Sequence, residues 1–188
     1  MSIPLPTDDD KDDLLLSCRY GDIEDIQAFV DKFGSGPLND IRDHSGNCAL
    51  HMVAANGHAD ALDYLLSVVS PSLLSARNSA ESTPLHWAAV NSHLTIAQKL
   101  VQFKNGPGVD LLDIKNAAGR SPLGEAENVG WEEGAKWMVE VMNLDDAKGE
   151  AAEDDQPLGP AVDIEVEIQD AEGQVARMKI GKQPLAES

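Results

Sequence analysis

Apolar residues return every three or four positions along this chain as far as Met142, in short runs broken by glycine and polar turns. Ile23, Ile26, Phe29 and Val30 form one stripe, Leu50, Val53 and Ala54 a second, and Leu62, Leu65 and Leu66 a third. Leu85, Ala88 and Ala89 follow, then Ile96, Leu100 and Val101, then Leu123 and Ala126, then Trp137, Met138 and Val141. Each stripe predicts a short helix with one buried face. Leu14 to Gly21 predicts the first helix, Asp22 caps the second, and Gly57 suits the left-handed position that ends an inner helix. Met1 to Asp13 is polar and acidic and predicts a frayed lead-in, its carboxylates favoured near a helix N-terminus. From Leu144 the pattern changes. Acidic residues with Pro157, Gly159 and Pro160 predict a linker. Val162, Ile164, Val166 and Ile168 then alternate with acidic residues, and Ala176, Met178 and Ile180 alternate again after Asp170 to Gly173. That is the period of two strands joined by a turn. A hairpin alone is marginal, so it either docks on the helices or stays free until a partner arrives.

The helices also repeat. Thr83-Pro84-Leu85-His86 precedes Trp87-Ala88-Ala89, with a variant copy at Cys48-Ala49-Leu50-His51 and a degraded one at Ser121-Pro122-Leu123-Gly124. The offsets are 85 − 50 = 35 and 123 − 85 = 38 residues. A period of about 33 with a T-P-L-H-x-A core is the ankyrin signature. It predicts an all-α, ankyrin-repeat solenoid of about four helix-turn-helix repeats, followed by an acidic C-terminal tail with the hairpin pattern. The expected division is a lead-in over 1–13, repeats over 14–142, and linker and hairpin over 143–188. The first repeat lacks a turn finger; the others run from about Asp43, Asn78 and Asn116, with lengthened connections at Pro71 to Ala76 and Asn105 to Asp113. Each helix pair leaves an apolar face open that the next pair closes.

Charge narrows the partners. The formal net charge is −19. Such a field repels nucleic acid and anionic lipid and attracts basic partners. Cys18 and Cys48 lack zinc-ligand spacing, and no cofactor or metal is expected. The start is not that of a signal peptide, and no apolar run has membrane length, so cytoplasm and nucleus are the expected compartments, with reduced thiols and a monomeric chain. His51 and His86 predict bonds to a neighbouring turn's backbone. No acid, base and nucleophile constellation is present, so the expectation is a binding protein rather than an enzyme.

With Leu50, Leu85 and Leu123 inward, residues two, five and six positions later share the other face of each inner helix. These are Met52, Ala55 and Asn56; Trp87, Val90 and Asn91; and Glu125, Asn128 and Val129, with Leu16, Arg19 and Tyr20 from the first repeat. Trp87 reads either as inter-repeat packing or as an anchor for a partner. Glu127 stands where a repeat normally buries alanine, so its carboxylate must reach solvent or a cation. Glu81 stands where the finger normally has glycine. Glu132 and Glu133 extend the acidic end. The expected partner surface is Met52, Trp87, Val90, Asn91, Glu125, Glu127, Asn128, Glu132 and Glu133.

Three segments carry a closer resemblance: Ala49-Leu50-His51-Met52 with Ala54 to His58, Leu85-His86-Trp87-Ala88, and Glu125-Ala126-Glu127-Asn128 followed by Glu132-Glu133. Together with the acidic tail they resemble the small fungal ankyrin-repeat chaperones dedicated to ribosomal protein three of the small subunit, a KH-domain protein. The resemblance covers about Leu14 to Met142. It implies that the chain holds the newly made basic protein by its N-terminal helix, escorts it to the nucleus and supports small-subunit biogenesis. The basic finger residues Arg42, Arg77, Lys115 and Arg120 depart from a uniformly acidic groove. An ankyrin adaptor or inhibitor of a signalling or transcription protein is the alternative.

Overall fold

The computed structural model describes residues 4–153, 165–169 and 175–179. The chain divides into two compact units, Met1–Lys148 and Gly149–Ser188. Among the described residues eight α-helices form, in antiparallel pairs: α1 Asp8–Tyr20 and α2 Ile23–Phe33, α3 Ala49–Asn56 and α4 Ala59–Val68, α5 Pro84–Val90 and α6 Leu94–Val101, α7 Pro122–Asn128 and α8 Glu132–Glu153. Inner helices α1, α3, α5 and α7 stack side by side, and outer helices α2, α4 and α6 stack behind them. The inward stripes close as expected: Leu50, Leu85, Ala88, Ala89, Leu62, Ile96 and Leu100 are buried.

The helices begin and end where local chemistry dictates. Thr83 caps α5 and Pro84 takes its first turn, where a missing N–H costs nothing. Gly57 ends α3 at φ 77°. A Cβ there would fall 2.8 Å from the His93 ring, so close approach demands glycine as much as the dihedral does.

The acidic lead-in is helical from Asp8, five residues before the expected end of that segment at Asp13. Thr7 and Asp10 form a reciprocal cap: the Asp10 carboxylate accepts from the Thr7 N–H at 2.9 Å and from its hydroxyl at 2.6 Å. Three aspartates in the first turn add favourable dipole interactions. Of the stretch expected as linker from Leu144, the part to Glu153 is helical as the end of α8, while Pro157, Gly159 and Pro160 lie outside the described residues.

The lengthened connections are part of the core. Both fold into 3-10 turns, at Pro71–Ser75 and Gly108–Leu112, and a further such turn, not expected from the sequence, forms at Gly36–Asn39. These turns bury Leu38, then Leu73 and Leu74, then Leu111 and Leu112. In the second unit, β1 Glu165–Gln169 pairs antiparallel with β2 Val175–Lys179, with Val166 opposite Met178 and Ile168 opposite Ala176. The hairpin expected from the alternation is therefore present, over shorter strands; Val162, Ile164, the turn from Asp170 to Gly173, and Ile180 lie outside the described residues.

Candidate partner-binding surface

The fingers are built first. Each opens on a side chain that clamps its own turn: the Asp43 carboxylate accepts from the Ser45 and Asn47 N–H groups, both at 2.8 Å. Asn78 does the same for Ala80 and Ser82, and Asn116 for Ala118 and Arg120. Successive fingers are joined by one main-chain rung each, Ser79 N–H to the Ser45 carbonyl at 2.8 Å and Ala117 N–H to the Ala80 carbonyl at 2.9 Å. The Asn78 amide reaches back to the Asn47 side chain at 2.8 Å.

Histidines bind α3 and α5 to the next finger, as the sequence predicts. His51 Nε2 lies 2.9 Å from the Ser82 carbonyl, and His86 Nε2 lies 3.0 Å from the Arg120 carbonyl. A carbonyl only accepts, so Nε2 carries the proton. Nδ1 is then the bare nitrogen, accepting from the Cys48 N–H in one case and from the Thr83 N–H and hydroxyl in the other. Burial pushes the His51 imidazole down to about 4, and lowers His86 as well. A second histidine pair fixes the other end of the inner helices. His58 donates to the Arg19 carbonyl at 2.8 Å and His93 to the Ala55 carbonyl at 3.1 Å. Burial likewise raises both thiols, Cys18 to about 12, which keeps them protonated.

On this frame the expected surface residues separate into groups. Val90, Asn91 and Asn128 are exposed on the outward face of α5 and α7, with Leu16 and Tyr20 on α1 and Val129 just beyond α7. The Asn56 and Asn91 amides donate to the Met52 and Trp87 carbonyls one turn back. Met52 and Trp87 are half-buried, because the position two residues after the inward leucine lies towards the fingers. Trp87 meets the His51 ring edge-on at 6.5 Å between centroids, so it packs between repeats and also keeps an open edge.

Glu125 departs from its expected place. It is only 5% exposed. Its carboxylate accepts from the Asn116 amide at 2.6 Å and lies 3.0 Å from the Arg120 guanidinium. It turns into its own finger because that finger supplies both donors. Glu127, by contrast, is exposed, as are Glu132 and Glu133. The last two stand in the first turn of α8, an outer helix, and so extend the acidity beyond the inner-helix row. Sequence reasoning missed the Asn116–Glu125–Arg120 contact. Its one available signal was a finger asparagine with a carboxylate nine residues on.

Repeated helix pairs, finger rungs and an open row of mixed apolar and acidic side chains define a repeat scaffold. The description "Ankyrin repeats (3 copies)" matches residues 14–113, and the chain belongs to the ankyrin-repeat family. It is 33% identical over 118 residues to the ankyrin repeat-containing protein P16F5.05c of Schizosaccharomyces pombe, covering 63% of this chain and 76% of that one. It is 29% identical over 167 residues to the ankyrin repeat-containing protein YAR1 of Saccharomyces cerevisiae, covering 80% and 78% respectively. Among solved structures it resembles a chain in the crystal structure of the yeast ribosomal protein Rps3 in complex with its chaperone Yar1. There the TM-score is 0.66 at 28% identity, over 73% of this chain and 95% of that chain.

Proposed function

We propose that this protein is a dedicated chaperone that holds newly made small-subunit ribosomal protein three and delivers it for small-subunit assembly. The observation that carries this is the likeness to the Rps3–Yar1 complex, at 28% identity over nearly the whole of the matching chain. The surface supports it. Exposed Leu16, Tyr20, Val90 and Val129 offer apolar contact along the inner helices, and Glu127 adds charge at the far end. A helix with one apolar and one basic face suits such a groove. A net charge of −19 accelerates capture of a cationic chain and screens its charge until assembly. On this reading the role is binding and not catalysis, and the expected compartments are cytoplasm and nucleus, where such a cargo is made and assembled.

The test is capture followed by protection. Native mass spectrometry of the tagged protein from cells should give a one-to-one complex with ribosomal protein three. Added to the purified ribosomal protein at low salt, it should suppress light scattering at equimolar ratio. Recovery of a kinase or transcription factor in place of the ribosomal protein would move the assignment to an adaptor.

A further inference from the structure

Every finger after the first donates one main-chain rung to its predecessor, and the first finger has no predecessor. The donors are equivalent residues, Ser79 and Ala117, each immediately after the clamping asparagine. Their counterpart in the first finger is His44, immediately after Asp43. Among the described residues no main-chain or side-chain acceptor takes the His44 N–H.

Where a preceding finger would stand there is a cleft of about 720 Å³. The first repeat has extended α1 by its turns Asp8 to Asp12 instead of forming a finger. The cleft lies between that extension and the first finger, and His44, Ile41, Pro6, Asp8, Asp12 and Asp40 are among the residues that line it. Its apolar floor comes from Ile41 and the prolines. Its charge is unevenly committed. Lys11 is paired to Asp8 at 2.8 Å, and Arg42 donates to the Ile41 carbonyl at 2.8 Å. Both Asp43 oxygens are taken up within the finger. Asp12 and Asp40 are exposed and, among the described residues, carry no side-chain partner.

We propose that this cleft is a second docking site, which takes a turn or extended segment of the partner chain in place of the missing finger. The segment's carbonyl oxygen continues the rung series by accepting from His44 N–H, in the manner of strand addition. Its side chains are lysine or arginine, held by Asp12 and Asp40. The site is separate from the inner-helix groove, so a partner engaging both gains from effective concentration. The identity of that partner rests on the chaperone reading.

The experiment uses the full chain with purified ribosomal protein three. A photo-crosslinking residue is placed at Leu5, on the cleft, or at Val90, on the inner-helix row, and amide exchange of His44 is followed by NMR. The expected result is crosslinking from both positions, the Leu5 product mapping to a segment rich in lysine or arginine, with His44 exchange slowed at least about 10-fold in the complex. Asp12→Asn with Asp40→Asn should weaken binding by about 3- to 10-fold at low salt and by less at high salt, without moving the melting temperature. Crosslinking from Val90 alone, with His44 exchange unchanged, overturns the cleft and leaves the chaperone reading standing. Absence of any complex overturns both.

Discussion

Replacing His86 with alanine tests the frame on which the binding surface stands. His86 is 1% exposed, and its ring makes three contacts: Nε2–H to the Arg120 carbonyl, and Nδ1 to the Thr83 N–H and hydroxyl. A net hydrogen bond contributes about 1 kcal/mol, and a donor stranded in the interior costs about 1–3 kcal/mol. The Arg120 carbonyl lies near solvent and is rehydrated cheaply, whereas Thr83 is completely buried and its N–H is left bare. The sum is a loss of about 2–4 kcal/mol, a large share of the stability of a small array. Urea unfolding followed by circular dichroism measures it. The midpoint should fall with the slope unchanged, since the surface exposed on unfolding is the same. Thr83→Val in the same background should cost less than it does alone, because the two residues share one contact. A His86→Ala midpoint within error of the parent would show that the bridge between the second and third fingers carries no stability.

Four further outcomes follow from the same geometry. The His51 imidazole is depressed to about 4 in the folded chain against about 6.5 unfolded, so the unfolded chain binds the extra proton between those values. Stability should therefore be level above about pH 7 and fall as pH drops from about 6.5 towards 4, by about 3 kcal/mol for this residue, which thermal melts across that range would detect. Glu81→Gly should raise stability by about 0.5–1 kcal/mol, because Glu81 sits at φ 56° where Gly46 and Gly119 occupy the equivalent turns, and its ion pair with Arg77 is exposed; a lower melting temperature would contradict this. Glu125→Ala should cost about 2–3 kcal/mol of folding stability by stranding the Asn116 amide, whereas Glu127→Ala should stay within about 0.5 kcal/mol and act on binding alone, as parallel melts and calorimetry would show. Trp87→Ala should weaken partner binding by about 2 kcal/mol and also lower the melt, since half of the ring packs against its neighbours; wild-type affinity in calorimetry would remove Trp87 from the surface.

The helix stripes and the histidine bridges were legible because they are local or nearly periodic. Leu50, Leu85 and Leu123 announce their own spacing, and the histidine lies at a fixed offset from each of the first two. The 3-10 turns were harder to see. Leu73–Leu74 and Leu111–Leu112 belong to segments without helical period, and only the three-dimensional stack shows the gap they fill. Asp8 to Asp13 was misjudged for the opposite reason: a run of aspartates has poor helix propensity, and one threonine cap outweighed it. Glu125 shows the limit of angular reasoning. Two residues from Leu123 does turn it away from the core, but the direction points under the finger, and a donor pair there decides its fate.

That buried carboxylate also lies where the series of forward bridges stops. In α3 and α5 the residue after the inward leucine is a histidine that reaches forward to the next finger; in α7 it is Gly124, which reaches nothing, and Glu125 folds back on Asn116 and Arg120. A fifth repeat grafted after α8 would find no forward donor at position 124, while the carboxylate at 125 would stay bound to its own finger. Repeats could be duplicated within the stack, between α3 and α6, with every bridge reproduced. Reproducing the bridge at this end would need a histidine at position 124, where a Cβ meets nothing nearer than 3.6 Å. The bridge series, unlike the stack of helices, therefore ends at a single residue, Gly124.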